Sequence, residues 1–371
     1  MIVKMRERLD PADLLARTVM VLLLAAPLAV QAAGQAKGDE SPIRVATWNL
    51  KWFGHPNTPR TSADLAAVAE RLATWGVHVL AFQEMAVTRL GPSGEPRSYA
   101  LDEVVETLAE AHGQSWEYWI HKGKGEQHLG FIWRDDRVDL VAAPVYGLKT
   151  QAVENQITVK GEKKTEKKTP WYRAPVIAHV RLGDGLTDFS IVNVHLKATE
   201  PQFGNDSFWE TRRAECESLA AWIDGVWNPA PAPPAKPVPK KPVPPVPVVS
   251  KLFGAVPFGA AAAAPAAVKA VLSHVDPDLA VLGDFNSAVH PDLDATPLIS
   301  LGMHFLGGGE STHVSGAALD RVLVSVPMGE EHTLSQASVP KGQAFAVAPG
   351  AVGGSDHFLV TFTVAVRPDD D

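Results

Sequence analysis

The sequence has very little cysteine: its 371 residues include one, Cys216. A single thiol cannot form a disulfide within the chain, so we expect none. Its place in a helical pattern predicts a buried, inert thiol rather than a catalytic nucleophile. The sequence also lacks a glycine-rich nucleotide loop, a CxxC pair and a GxSxG elbow. None of the chemistry that those motifs serve is therefore indicated.

The sequence lacks an excess of basic residues. It has 34 Lys and Arg against 42 Asp and Glu, a net charge of −8. Proteins that bind nucleic acid by bulk attraction are more often basic. The acidity leaves a nucleic-acid substrate open, because a local basic strip or a bound cation can offset it, but bulk charge gives no argument for one.

Long apolar runs are also scarce, and the best one is VMVLLLAAPLAV at 19–30. Positive side chains precede it and the small residues of VQAAG follow it, as in a secretory signal peptide. We expect residues 1–32 to be removed, with cleavage after Ala32 or Ala33. The mature protein is then secreted or periplasmic, without stable membrane insertion. The alternative is an uncleaved anchor, for which this run is short.

Beyond residue 41, strand-like and helix-like patterns interleave to the end of the chain, which predicts one mixed α/β domain over 41–371. Strands outnumber helices, so we expect two packed sheets with helices outside. The predicted strands are 43–50, 77–84, 117–121, 129–134, 138–142, 174–182, 188–195, 278–285, 319–325 and 357–366. The first predicted helix is capped by Ser62 and ends at Gly76. The second covers 101–112, and the third opens with a capping box of Ser207 and Glu210 and runs to about Trp227.

Two segments depart from this pattern. Residues 228–267 are rich in proline and alanine and predict a surface insertion, either a plain spacer or a partner-binding segment with proline motifs. Residues 160–170, KGEKKTEKKTP, predict a solvated loop, with contact to a phosphate as the alternative.

Several predicted strands end in the same way, with apolar residues followed by acids, amides or imidazoles. Such strand ends are Asn49, Glu84, Asn193, His195, Asp284, Asn286, Asp320, Asp356 and His357. Each alone would be an ordinary turn, surface or core residue. Together they are hard to explain by stability, because clustered carboxylates repel one another unless a cation or protons offset them. Oxygen ligands suit Mg²⁺, Mn²⁺ or Ca²⁺, and histidines beside carboxylates suit proton transfer, so the set predicts metal-assisted attack on a phosphate ester.

The motifs WN, QE, NxHL, GDFN, LDRV and SDH, in this order, resemble those of the endonuclease/exonuclease/phosphatase superfamily. Within it, the stretches VATWNLKWFG, WYRAP and STHVSGAALDRVLV are most similar to the deoxyribonuclease I branch. The resemblance implies a four-layer α/β sandwich and a divalent-metal phosphodiesterase, most simply a DNA endonuclease that uses Mg²⁺. Mn²⁺ or Ca²⁺ are alternatives.

The resemblance implies five catalytic residues. His195 and His357 flank the scissile phosphate, where one activates water and the other protonates the leaving oxygen. Asp320 orients the imidazole of His357. Asp284 and Asn286 position the nucleophile and the phosphoryl oxygens.

The resemblance also implies five binding residues. Glu84 is a metal ligand, helped by Asn49 and Asp356. Arg173 contacts the phosphate and Lys51 contacts the substrate backbone.

Two positions depart from the pattern of that branch. Gln127 stands where a glutamate would support the first catalytic histidine, and Gly125 stands where a tyrosine would lie. The chemistry is therefore better indicated than the substrate. A phosphodiesterase or phosphatase acting on lipid or inositol phosphates is the alternative function, and an exposed aromatic rim would favour it. A binding module without catalysis is a third reading, but it predicts a missing catalytic residue, and the main set is complete.

Overall fold

The computed structural model describes residues 41–182, 187–200, 203, 207–228, 277–287, 291–307, 311–313, 315, 317–332, 334–338 and 355–367. The predicted signal peptide, nearly all of the predicted insertion, and the glycines at 353 and 354 lie outside these residues. In the part of the chain that is described, no helix has both the length and the apolar character needed to cross a bilayer.

Fifteen strands form within the described residues. They are β1 (Ile43–Phe53), β2 (Val79–Met85), β3 (Arg89–Leu90), β4 (Pro96–Arg97), β5 (Trp116–His121), β6 (His128–Arg134), β7 (Asp139–Pro144), β8 (Val153–Val159), β9 (Glu162–Lys168), β10 (Val176–Arg181), β11 (Asp188–His195), β12 (Leu279–Asp284), β13 (His304–Phe305), β14 (Asp320–Val324) and β15 (Val360–Val364). The described helices are α1 (Ser62–Thr74), α2 (Tyr99–His112), α3 (Trp209–Trp227), α4 (Pro291–Ile299) and α5 (Val326–Glu331). All ten predicted strands and all three predicted helices are present.

Two large mixed sheets dominate the fold. The five-stranded sheet has the order β15-β1-β2-β6-β5, and the six-stranded sheet has the order β13-β14-β12-β11-β10-β7. Alternate residues of both sheets, such as Val45, Ala81, Ile191 and Leu282, face one another in a fully buried core between the sheets. This is the period-2 pattern that the sequence showed.

The outer face of each sheet is covered by helices. Leu65 and Leu72 of α1 and Leu101 of α2 pack against the five-stranded sheet. Cys216 of α3 and Leu298 of α4 pack against the six-stranded sheet. The layers are therefore helix, sheet, sheet and helix, which confirms the predicted four-layer sandwich. Cys216 is buried, as its pattern indicated.

Two helix starts differ from the prediction. Thr61, not Ser62, is the N-cap of α1, because the Thr61 hydroxyl accepts from the Asp64 amide at 3.2 Å and the Asp64 carboxylate accepts from the Thr61 amide at 2.9 Å. Helix α3 has no capping box, and its N-cap is Phe208 in the left-handed region. The Ser207 hydroxyl instead accepts from the Glu200 amide at 2.7 Å, which fastens the preceding loop.

The lysine-rich segment is not a loop, and its prediction was wrong. Strands β8 and β9 pair as an antiparallel hairpin in register from Val153–Lys168 to Val159–Glu162. Lys160 and Gly161 both have positive φ and make the two-residue turn that suits the twist of a hairpin. Ile157 is buried on one face, and apolar residues at alternate positions of β8 were the signal for this strand.

Candidate active site

The polar strand ends meet at one edge of the sandwich. Strands β11 and β12 are parallel, with His195 opposite Asp284, and β14 runs antiparallel to β12, with Asp320 opposite Asp284. These side chains continue the inward-facing rows of the core at the point where the rows become polar. Three predicted catalytic residues therefore lie side by side on the six-stranded sheet.

The five-stranded sheet adds residues across the gap between the sheets. The side-chain amide of Asn49, on β1, donates to Glu84 Oε1 at 3.0 Å and to Asp284 Oδ2 at 2.9 Å. The Asn49 Oδ1 atom accepts from the Lys51 amide at 2.9 Å. Asn49 therefore joins carboxylates of both sheets through its amide nitrogen.

His357 is held by a buried acid. Its Nδ1 lies 2.9 Å from Asp320 Oδ2, and its Nε2 lies 3.8 Å from Asp284 Oδ2. Burial opposes a charge on this ring, but Asp320 and Asp284 outweigh it and raise the pKa of His357 to about 10. The ring is therefore an imidazolium at neutral pH, with Asp320 as its closest acidic partner.

The surroundings of His195, unlike those of His357, disfavour a positive charge on the ring. Its Nε2 lies 3.4 Å from Asp284 Oδ2 and 3.7 Å from Glu84 Oε1. Burial lowers the pKa of His195 well below its ordinary value, and the positive charges of Arg173 and His357 add to this effect. Within the described residues, its buried Nδ1 has no hydrogen-bond partner. The two histidines therefore differ in charge because their surroundings differ.

Asp284 lies between the two histidines. Burial raises the pKa of Asp284 to about 6, and Asp320 adds to the rise while His357 opposes it. Its second oxygen, Oδ1, accepts from the Asn286 amide at 2.8 Å. The carboxylate is thus fixed at both oxygens.

Glu84 is turned into the site by an unusual backbone. Its φ is +62°, a left-handed conformation that is strained in a non-glycine residue, and the pairing of β2 with β6 shifts register beside it. Its Oε2 accepts from the side-chain Nε2 of Gln127 at 2.6 Å and from the backbone amide of Trp52 at 3.3 Å. Its side chain keeps 14% of its surface exposed, so the carboxylate lies at the opening of the site.

Gln127 stands at the position where the resemblance puts a glutamate that supports the first catalytic histidine, and its hydrogen bonds go to Glu84 and Arg173. While its nitrogen holds Glu84, its Oε1 accepts from Arg173 Nη1 at 2.9 Å. A glutamine can do both because it carries a donor and an acceptor, whereas a carboxylate would repel Glu84. The residue type was visible in the sequence, but its two partners are distant in the chain.

Arg173 and Asn286 are held by one carbonyl. Arg173 Nη2 donates to the Leu196 carbonyl at 2.7 Å, and Asn286 Nδ2 donates to the same oxygen at 3.1 Å. Both residues are only partly buried. They lie beside His195. Only those N–H groups of the two side chains that do not donate to the Leu196 carbonyl or to Gln127 are available to a bound phosphate.

Asp356 and Lys51 form the outer side of the site. Lys51 Nζ lies 2.6 Å from Asp356 Oδ2, and His313 Nε2 lies 3.4 Å from the same oxygen. Burial would raise the pKa of Asp356, but hydrogen bonds from His313 and Lys51 outweigh it and hold the pKa well below its usual range. The predicted metal ligand is therefore paired with Lys51 and lies beside His313, a neighbour that sequence reasoning missed.

Glu215 of α3 is a second residue that sequence reasoning missed. Its buried carboxylate accepts from the Trp171 amide at 3.0 Å and from the Lys197 amide at 2.8 Å. Burial raises the pKa of Glu215. The two bonds fasten the segments that carry Arg173 and His195, and its position inside an ordinary helix gave no signal.

The donor set fits a hard divalent cation. Carboxylates of Glu84, Asp284 and Asp356 contribute to the site, Asp284 fully buried and the other two partly exposed, and oxygen ligands of this kind suit Mg²⁺ or Ca²⁺. Two groups have ligand atoms within 4.8 Å of one another in the described part of the chain, Asp284–Asp320–His357 and His313–Asp356–His357. Glu84 stands outside both groups and contacts Asn49, so the implied trio of metal ligands is only partly brought together.

No family model and no curated protein matches this sequence. Among solved structures it is similar to the catalytic domain of human Nocturnin, with 13% identity, TM-score 0.48, and coverage of 90% of this chain and 96% of that one. It is also similar to a mannosyl-6-phosphatase of Bacteroides thetaiotaomicron, with 12% identity, TM-score 0.48, and coverage of 87% and 99%.

A third similar structure is a Bacteroides thetaiotaomicron protein of the endonuclease/exonuclease/phosphatase family, with 12% identity, TM-score 0.47, and coverage of 89% and 99%. None of these structures singles out the deoxyribonuclease I branch. Since identities and TM-scores are this low, the function has to be argued from the site itself.

Proposed function

We propose that the chain is an exported, divalent-metal-dependent phosphodiesterase that cuts DNA internally. One observation supports this most strongly. Asp284 Oδ2 lies 3.4 Å from Nε2 of His195 and 3.8 Å from Nε2 of His357, and the two imidazoles are in opposite charge states. A pair of this kind supplies one proton acceptor and one proton donor to the same small space.

The charge states assign the roles. His195 is the neutral ring, so it accepts a proton from the attacking water. His357 is the imidazolium held by Asp320, so it gives a proton to the leaving oxygen and its charge stabilises the transition state. Asp284 holds both rings at the reacting centre. A divalent cation bound at Glu84 would neutralise charge on the phosphoryl oxygens.

The alternative of a lipid or inositol phosphate substrate would need an exposed aromatic rim. Trp48 and Phe53 are buried in the core. The Trp48 indole donates to the His357 carbonyl at 3.0 Å, so this tryptophan supports the catalytic strand rather than a membrane contact. Trp52, the third candidate for such a rim, is half-buried. Two of the three candidate residues therefore lie in the core, which supports a polynucleotide over a lipid substrate.

The test is nicking of supercoiled plasmid by the purified mature chain, with Mg²⁺ and with EDTA. We expect metal-dependent nicking that His357→Ala abolishes. His332→Ala is the matched control, because His332 is also a buried histidine paired with an acid, 2.8 Å from Asp278. The control should keep its nicking rate. Metal-dependent hydrolysis of bis(p-nitrophenyl) phosphate without any nicking would move the substrate to lipid or small phosphate esters.

A further inference from the structure

The hairpin of β8 and β9 emerges beside the active site. Strands β7 and β10 pair at Pro144 and Val176, and Val176 lies opposite Asn193, two residues before His195. The Val145 amide continues this pairing with a bond of 3.0 Å to the Pro175 carbonyl. Residues 145–175, here called the arm, therefore leave and rejoin the sheet at its catalytic edge.

The arm is basic in an acidic protein. It contains seven basic residues against three acidic ones, whereas the chain as a whole has a net charge of −8. Three of its lysines pair with glutamates of the same hairpin, for example Lys167 with Glu154 at 3.1 Å. Exposed pairs of this kind contribute little and can exchange partners with a phosphate.

The base of the arm presents two exposed aromatic rings. Tyr146 and Tyr172 expose 56% and 60% of their surface, and Tyr172 immediately precedes Arg173. Gly125 makes room for Tyr172, since a Cβ at Gly125 would lie 2.7 Å from the Tyr172 hydroxyl. Exposed tyrosines next to a cationic surface are what a protein uses to stack unpaired bases.

Direct contacts link the arm to the site. Lys168 of the hairpin and Lys197 lie over the same Phe208 ring, at 5.1 Å and 4.4 Å from its centroid. Lys197 follows Leu196, whose carbonyl holds Arg173. Each of these lysines also pairs with a glutamate, Lys168 with Glu166 and Lys197 with Glu200, so the shared ring joins the hairpin to the catalytic edge without adding net positive charge there.

We propose that the arm, residues 145–175, binds a single polynucleotide strand and guides it to the active site, its lysines on the phosphates and its tyrosines on the bases. This rests on the proposed function and deepens it by naming an unpaired strand of the DNA, such as negative supercoiling exposes in a plasmid, as the part of the substrate that enters the site. A membrane surface fits less well. The tip of the hairpin is Lys160 and Gly161, and the described tip has no exposed large apolar side chain to enter lipid.

The test compares two double variants in binding and in catalysis. Lys163→Gln/Lys167→Gln neutralises two exposed arm lysines. Arg71→Gln/Arg181→Gln removes the same charge at the far end of the sandwich, in the last turn of α1 and at the end of β10. The probe is an oligothymidylate of about 20 nucleotides, titrated against the protein over a range of salt concentrations.

We expect the arm variant to bind the oligothymidylate about fivefold more weakly, or worse, and to lower the salt slope by about 0.7 for each lost phosphate contact. The far-end variant should bind as the wild type does. Tyr146→Ala should also weaken binding about fivefold or more, because a stacking platform is lost. Hydrolysis of bis(p-nitrophenyl) phosphate should stay within about twofold in all three, since the catalytic edge is untouched.

Three results would overturn the proposal. The arm variant could keep the wild-type affinity and salt slope, or the far-end variant could lose as much affinity as the arm variant. The arm variant could also lose binding to vesicles of phosphatidylserine while keeping the oligonucleotide, which would make the partner a membrane. A wild type that hydrolyses the small diester but neither binds nor cuts a polynucleotide would instead refute the nuclease function itself.

Discussion

Asp320→Asn is the sharpest single change, because the proposed roles of the two histidines depend on this carboxylate. Asparagine keeps the shape of the side chain and removes its charge. His357 then loses the closest of the acids that hold it as an imidazolium, 2.9 Å from Nδ1. We expect kcat to fall while KM changes little, since Asp320 touches His357 rather than the substrate.

The size of the effect follows from the contact. A buried hydrogen bond to a charged group is worth about 1.5–3 kcal/mol, and each 1.4 kcal/mol is about tenfold in rate. Because both partners are buried, solvent screening is small and the value is not reduced further. The expected loss in kcat is therefore about 10- to 150-fold, measured on plasmid nicking under saturating Mg²⁺.

Asp278→Asn separates this loss from a general loss of stability. Asp278 pairs with His332 at 2.8 Å, both are buried, and Asp278 immediately precedes β12, at the end of that strand opposite to Asp284. Both variants should lower the midpoint of denaturant unfolding, but only Asp320→Asn should lower kcat. Equal kcat in Asp320→Asn and the wild type would refute the role given to His357, and an equal loss in both variants would show that stability alone was measured.

Three other predictions concern the site and the fold. Glu84→Gln should move the Mg²⁺ titration of nicking to about tenfold higher concentration or more, and an unchanged titration would remove Glu84 from the metal site. His195→Ala should abolish nicking with the thermal midpoint close to the wild type, and near-normal turnover would show that another group accepts the proton. Burial, with nearby arginines adding, lowers the pKa of His78 from 6.5 to about 3, so the native state binds fewer protons than the unfolded one and stability falls as pH drops from 6.5 towards 3. His78→Asn keeps an acceptor for the Arg44 backbone amide and cannot titrate. Between about pH 7 and about pH 4, measured by urea unfolding, the variant should therefore lose less free energy of unfolding than the wild type, by a few kcal/mol at most. An equal loss in both proteins would contradict the lowered pKa of His78.

Much of this arrangement was predictable from sequence because it depends on local alternation. A strand with apolar residues at every second position and a polar residue at its end predicts a core with a polar edge, and His195, Asp284 and Asp320 follow that rule. Glu84 does not, since its left-handed backbone turns it out of the alternation. Gln127 could not be placed, because its function depends on contacts with distant residues.

Two separate sheets hold one site, and buried amide side chains between them set their distance. The motifs QE (Gln83 and Glu84) and NxH (Asn193 and His195) each contain two polar residues. In the structure, the first residue of each motif bonds between the sheets and the second lies in the site. Gln83 Nε2 donates to Asn193 Oδ1 at 2.7 Å between the sheets, and the Asn193 amide donates to the Phe82 carbonyl at 2.9 Å. Both side chains are fully buried, so these bonds fix the distance between the sheets in a medium where an unmade bond is costly. The second members, Glu84 and His195, can then face each other at 3.7 Å, because the first members have already set the separation of the strands that carry them.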